Sequence, residues 1–392
     1  MADSDLWSLD PDWVHLNHGS FGACPRPVLA EQARLRDRLE ANPTRWFDLE
    51  HPAAVAQART ELADFVGSPV AALAFVENAT TGVNTALTTV ARRLAPGDQV
   101  LVTDQTYAAC RNAVDAIAAR HGLVVVVAQV PEKLAGPGDV LDVVLGAVGP
   151  RTRVALLDHV TSANAVVHPI AELVAALEPA VTVIVDGAHA PGMLELAVEA
   201  LGASFYTGNC HKWLCAPKGA AFLCVSDAWR EDVTPLTISH GWGERLAAGT
   251  SRFHAQFDWP GTTDPTAWLS VPAALRTVGG LRAGGWAEVR SWCHELVMTG
   301  AQVVGEAFGT EPLVPAEMIG SMVVVPLSGE AGRLRPAELT ARARGHRIEA
   351  KFHTSQDRAG RPVSGLRLSA HLYNTVRDYE RAAAVLSLSP PG

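Results

Sequence analysis

Residues 181–189 read VTVIVDGAH: a run of β-branched residues, then an aspartate, two small residues and a histidine. The run has strand length and is too short for a buried helix. The Asp186-Gly187 pair that closes it is turn chemistry. The same grammar recurs on both sides. DQVLVTD (98–104), LVVVVAQV (123–130) and RVALLDHV (153–160) precede it, and SFYTGNCHKWL (204–214) and AAFLCVS (220–226) follow. Ala-rich stretches with helical spacing are interleaved at 83–95, 107–121, 139–148 and 169–178. Apolar strands alternating with helices predict an α/β fold, a mostly parallel sheet covered on both faces.

Outward from this centre the patterns change. The stretch VHLNHGSFGACPRP (14–27) is rich in turn residues and predicts an irregular arm, followed by helices over 28–41 and 53–66. The region 234–266 has no clear period and is expected to be an ordered loop, with a helical stretch over 266–310. Beyond it, SMVVVPL (321–327), RIEAKFH (347–353) and GLRLSAHLYN (365–374) alternate as strands, and a last helix starts at 375. The expected division is an arm (1–27), a large domain (28–275) and a smaller α+β domain (276–392).

Composition narrows the classes of function. A chain of 392 residues with 48% hydrophobic and 19% charged residues can bury a large core in more than one domain. A net charge of −9 disfavours nucleic acid or an anionic membrane as partner. The start, MADSDLWSLDPDW, is acidic and lacks the apolar core of a signal peptide, and no apolar run reaches membrane-spanning length. Six scattered cysteines without repeated spacing fit reduced thiols in the cytoplasm. Only four lysines occur, at 133, 212, 218 and 351, which narrows the search for a reactive amine.

In an open parallel sheet, ligands sit at the carboxyl ends of the strands. Five polar clusters follow apolar runs there: Asn78 to Gly82, Asp104 to Tyr107, Asp158 to Asn164, Asp186 to His189, and Asn209 to Lys212. A carboxylate at Asp186, flanked by apolar strand, calls for a cationic partner such as a protonated pyridine nitrogen; capping the following turn is the bland alternative. A lysine in an apolar crevice has a depressed pKa, and its neutral amine can condense with an aldehyde, which singles out Lys212 over a snorkelling surface lysine. Asn78 to Gly82 opens a helix and offers hydroxyls and free N–H groups to an anion, as any capped helix start would. Tyr107 could cover a flat ring or belong to the core. Arg367, flanked by Leu366 and Leu368 pointing the other way, could grip a carboxylate or make a structural salt bridge. Cys210, His211, Cys215 and Cys224 fit no zinc spacing, so no metal is expected. A dinucleotide site is excluded, because no GxGxxG follows the first strand.

Six stretches in order resemble the class V aminotransferase-like group of fold-type I pyridoxal-phosphate (PLP) enzymes: LNHGSFG (16–22), ENATTGVN (77–84), VDGAHAPG (185–192), GNCHKWLCAPKG (208–219), PGTTD (260–264) and RLSAHLYN (367–374). They look most like its isopenicillin N epimerase and C–S lyase branch. The resemblance implies a PLP cofactor held as a Schiff base on Lys212, Asp186 at its ring nitrogen, His189 near its phenolic oxygen and Tyr107 stacked on its ring. It implies a phosphate site of Ala79, Thr80 and His211, with Thr262 reaching in from a second subunit, hence a homodimer with a shared active site. Arg367 would bind the substrate carboxylate, and Asn17 and Ser20 would line the substrate pocket. The implied reaction starts at Cα of an amino acid: β-elimination from a cysteine S-conjugate, in secondary metabolism, with epimerisation or decarboxylating deamination as alternatives. Two positions depart from the pattern: Asn209 stands where relatives often have Ser, and TSANA (161–165) where they have a Gly. The segment 351–365 contains no Cys, which disfavours a persulfide-forming desulfurase.

Overall fold

A two-residue strand, β1 (Val14–His15), opens an arm that leads into helices α1 (Arg26–Ala41) and α2 (His51–Val66). Both helices carry proline in the first turn, where its missing N–H is not needed. The computed structural model describes residues 4–243, 245–246, 251–357 and 359–387. Next come β2 (Leu73–Val76), α3 (Ala79–Ala91), β3 (Gln99–Thr103), α4 (Ala108–His121), β4 (Val124–Ala128), α5 (Pro137–Gly146), β5 (Thr152–Asp158), α6 (Ile170–Leu177), β6 (Thr182–Asp186), β7 (Phe205–Asn209) and β8 (Ala221–Val225). Seven strands form one sheet in the order β2-β8-β7-β6-β5-β3-β4. Only β8 runs antiparallel to its neighbours.

The alternation of side chains explains the two-sided core. Ala74 and Val76 of β2, with Ile184 of β6, meet α3 and α4 on one face. Leu73 and Phe75, with Val183 and Val185, meet α1, α2, α5 and α6 on the other. The sheet is therefore dry on both sides, and its ligand-accessible rim is the row of carboxyl ends.

The loop expected over 234–266 contains a short helix, α7 (Arg252–Phe257), whose Ser251 side chain accepts a hydrogen bond from the His254 N–H. Six residues are too few to establish a period, and only burial of Phe253 and Phe257 makes the helix profitable. Residues 244 and 247–250 of that loop lie outside the described residues. The helical stretch expected over 266–310 is divided: a short turn at Thr266–Leu269, then α8 (Val271–Gly279) and α9 (Gly285–Phe308), parted by the glycine-rich GGLRAGG (279–285).

The smaller unit holds β9 (Met322–Pro326), α10 (Pro336–Gly345), β10 (Ile348–Glu349), β11 (Lys351–Gln356), β12 (Pro362–Ser369) and α11 (Val376–Ser387). The strand expected at 347–353 is two strands with different partners. β10 pairs in parallel with β1 of the arm, whereas β11 joins the antiparallel sheet β11-β12-β9. The strand expected at 365–374 stops at Ser369, and His371 and Tyr373 turn back to pack beneath the arm.

Candidate active site

Parallel pairing of β5 with β6 sets Asp158 directly beside Asp186. Both carboxyls are buried. Two carboxylates in adjacent strands cannot both ionise cheaply, and burial together with Asp186 pushes the Asp158 pKa well above its usual value. Asp158 accepts a hydrogen bond from the Tyr107 N–H at 3.4 Å, while its second oxygen has no partner. Asp186 accepts the Ala188 N–H at 3.0 Å and faces the Cys110 thiol at 3.1 Å. Its place on the strand end thus combines both earlier readings: one oxygen caps the turn, and the carboxylate faces the crevice.

Lys212 lies in the turn after β7 with its Nζ at 3.1 Å from His189 Nε2. Burial lowers its pKa to about 8, partly opposed by Asp186. His189 Nδ1 accepts the Trp213 indole N–H at 3.3 Å. A neutral ring then carries its proton on Nε2, facing the Lys212 amine. Burial, with Lys212 next, holds the His189 pKa well below its ordinary value and keeps that ring neutral. Lys218, by contrast, is exposed and bonds the Gly22 carbonyl at 3.0 Å.

At the start of α3 the Asn78 side chain caps the Thr81 N–H at 2.9 Å, and Asn209 Oδ1 accepts the Ala79 N–H at 2.8 Å. The Thr80 N–H, second in the helix, is one of the donors a helix start leaves over. Asn209, whose role the sequence left open, fixes that helix start to the end of β7. His211 donates Nδ1–H to the Ala220 carbonyl at 2.9 Å, and burial lowers its pKa to about 4. Ser20, Ala79, Thr80, Tyr107, Asp158, Asp186, His189, His211 and Lys212 all border one cavity of about 170 Å³. Tyr107 is half exposed at its mouth.

Arg367, from β12, bonds two residues of the cavity wall, Ser20 and Ser162, although neither it nor Asn17 borders the cavity itself. Leu366 and Leu368 are buried in the core of the smaller unit, so the arginine faces the other way. Its guanidinium donates to Asn17 Oδ1 at 2.8 Å, to Ser20 Oγ at 2.9 Å and to the Ser162 carbonyl. No carboxylate among the described residues pairs with it, and Nε has no partner. Burial alone lowers its pKa to about 10. A buried cation ringed by neutral groups is an unfinished ion pair.

Two groups stand apart. Thr262 is exposed and does not border the cavity, although Pro260 and Thr263 line an adjoining one with Asn78 and His211. Cys215 packs with His18 and His371, and their ligand atoms lie within 4.8 Å of one another. The two imidazoles are stacked at 4.2 Å and 20° between planes, so their nitrogens point alongside each other. His18 bonds the Lys212 carbonyl at 3.1 Å and Tyr373 Oη at 3.0 Å. This trio is a hydrogen-bonded support beneath the lysine. His18 lies within LNHGSFG, yet nothing in that stretch reveals its partners, which are nearly 200 and more than 350 residues away. The Asp158 signal was its strand-end position beside a second strand-end aspartate.

The donor set suits pyridoxal phosphate: an amine of lowered pKa for an aldehyde, a free helix-start N–H for a phosphate, and a buried carboxylate for a pyridinium. The Aminotransferase class-V pattern matches residues 23–381. Isopenicillin N epimerase of Amycolatopsis lactamdurans is 34% identical, over 97% of this chain and 96% of that protein. A putative L-cysteine desulfhydrase of Oryza sativa subsp. japonica is 32% identical, over 94% of this chain and 81% of that one. Among solved structures, C-DES with glycine covalently linked to its PLP cofactor superposes with a TM-score of 0.83 at 20% identity, covering 99% of both chains. With the fold, the crevice and a family pattern spanning nearly its whole length in agreement, this chain belongs to the class V aminotransferase family.

Proposed function

We propose that this enzyme binds pyridoxal phosphate on Lys212 and cleaves the Cβ–S bond of a cysteine S-conjugate by β-elimination. The observation that carries this reading is a lowered-pKa amine in a cavity whose wall residues Ser20 and Ser162 bond a buried guanidinium that has no carboxylate partner among the described residues. Relatives named L-cysteine desulfhydrase support it. Arg367 holds the substrate carboxylate, with Asn17 and Ser20 fixing the guanidinium plane. Pyridoxal phosphate bound in the crevice would supply an electron sink for Cα, with Asp186 keeping its ring nitrogen protonated. Lys212 Nζ, set free when the substrate's amino group takes its place, takes the Cα proton. The electrons of the broken C–H bond form Cα=Cβ, and the Cβ–S pair departs on sulfur as a thiolate. Hydrolysis of the released enamine leaves pyruvate and ammonium.

The enzyme is proposed to be a cytoplasmic homodimer, with Thr262 of each subunit completing the phosphate site of the other. The half-exposed Tyr107 and the exposed Phe21 at the cavity mouth support a covering subunit, and six free thiols support the compartment. Epimerisation is the second reading, favoured by the 34% identity to isopenicillin N epimerase. It needs a second proton donor on the far face of Cα, and Tyr107, which borders the cavity, is the hydroxyl proposed for it. Mass spectrometry of products from cysteine conjugates and from single enantiomers of amino acids tests both. Equimolar thiol and pyruvate support elimination, with turnover surviving Tyr107→Phe. Solvent-deuterium exchange with inversion and no thiol, lost in Tyr107→Phe, replaces it by epimerisation.

A further inference from the structure

A second cavity, of about 480 Å³, lies between the large domain and the three-stranded sheet. It adjoins the first across one short stretch of chain. Ser162 borders the first cavity and gives its carbonyl to Arg367, while Asn164 lines the second. The register of the sheet makes the same link from the other side. Val324 sits directly opposite Arg367 on β9, and His353 sits opposite Gly365 on β11. Arg367 and Gly365 are two apart on β12, so Val324, His353 and the arginine share one face. A Cβ on Gly365 would come within 2.7 Å of Val324 Cγ1 and 2.9 Å of Ser355 Cβ, so the glycine lets Val324 lie across the sheet as a floor.

The walls of this cavity are polar and incompletely bonded. His353 Nε2 and Asn164 Oδ1 are buried without partners. A buried polar atom left unbonded is costly, and such atoms are the ones a ligand repays. Burial holds the His353 pKa near 4, so its ring is neutral. Among the described residues that line the same space, Asp104 and Glu132 face one cation, Lys133. That balance suits a donor-bearing or cationic group over a carboxylate.

We propose that this cavity is a distal subsite, and that the substrates are amino acids whose side chain continues past the reacting atoms to an amide or ammonium group. The inference rests on Arg367 as the carboxylate anchor, because that anchor aims the side chain across Ser162.

The test uses the holoenzyme and a ladder of probes: S-ethyl-L-cysteine and its aminoethyl, acetamidoethyl and carboxyethyl analogues. Dissociation constants come from the absorbance change of the bound cofactor, and thiol release gives kcat/KM. The aminoethyl and acetamidoethyl arms should bind roughly tenfold more tightly than the ethyl arm, and the carboxyethyl arm no better than ethyl. His353→Phe, which fills the cavity, and Asn164→Leu, on the opposite wall, should each erase the preference while leaving S-ethyl-L-cysteine unchanged. Equal affinity for all arms overturns the subsite, as does a loss shared equally by every probe in both variants. A preserved affinity ladder with no thiol released would leave the subsite standing and remove the lyase reading.

Discussion

Burial lowers the Lys212 pKa from its ordinary 10.5 to about 8, and the sign of that shift makes a measurable difference to the apoprotein. Below about pH 8 the lysine is charged in folded and unfolded chains alike, and the folded form bears the full desolvation cost. Between about 8 and 10.5 the unfolded chain keeps a proton that the folded chain has released, so stability rises with pH across that window. Apoprotein carrying Lys212→Met should therefore be more stable than wild type at pH 7, by about 1–3 kcal/mol, and the gap should close as pH rises through the window. Urea titrations across that range measure it, and a variant less stable at pH 7 would contradict the assignment. For Arg367, no carboxylate among the described residues pairs with it, which supports the substrate anchor over the salt bridge that the sequence left open. Arg367→Lys cannot satisfy Asn17, Ser20 and the Ser162 carbonyl while presenting two parallel donors. It should raise KM for amino acids by at least roughly tenfold and leave cofactor binding intact; steady-state kinetics with a cofactor titration separates the two. Lys212, Asp186 and His189 were legible because strand ends advertise themselves as an apolar run followed by polar residues. The unpartnered oxygen of Asp158, the Cys110 thiol on Asp186 and the tether from Asn209 to Ala79 were not, because each depends on which strands and helices become neighbours.

Among the elements, the contact of α3 with β7 bears most directly on the site. Gly82 lies so close to β7 that a Cβ would come within 2.2 Å of Thr207 Oγ1 and 2.7 Å of Thr207 Cβ. The helix whose first turn borders the cavity is thereby pressed against the strand that ends at Asn209. Gly82→Ala should lift α3 away and break the Asn209 to Ala79 bond. The expected result is weaker pyridoxal phosphate binding, by roughly tenfold or more, and a melting temperature lowered by several degrees. Fluorescence titration and calorimetry read the two, and unchanged affinity would show that the helix start does not set the phosphate site. Strands with continuous β-branched runs were readable at nearly their true bounds because burial on both faces leaves no competing pattern. LAFV (73–76) was read only as an apolar run before Asn78, its strand nature fixed by pairing with β8. Likewise β10 is a strand only because β1 lies beside it.

At the scale of the whole molecule, the proposed shared site predicts complementation between defective subunits. Thr262→Ala should weaken cofactor binding by roughly tenfold, and Lys212→Ala should abolish the covalent link. Refolded together, the two variants should regain one wild-type site per mixed dimer, since the subunit with an intact lysine then receives an intact threonine from its neighbour. Cofactor titration of purified mixed dimers checks this, and wholly weak binding would place Thr262 in its own subunit's site. The arm poses a different question, one of time. Val14 and His15 pair with Ile348 and Glu349, His18 bonds Tyr373, and Asn17 and Ser20 hold Arg367. Once made, these residues of the arm must therefore wait for partners more than 300 residues later. At synthesis rates of about 5–20 residues per second, that wait is roughly 15 to 70 seconds. The strand ends around Asp158, Asp186 and Lys212 emerge well before it is over. A nascent chain is thus able to assemble its cofactor crevice while the partners that give the arm its meaning are still unwritten.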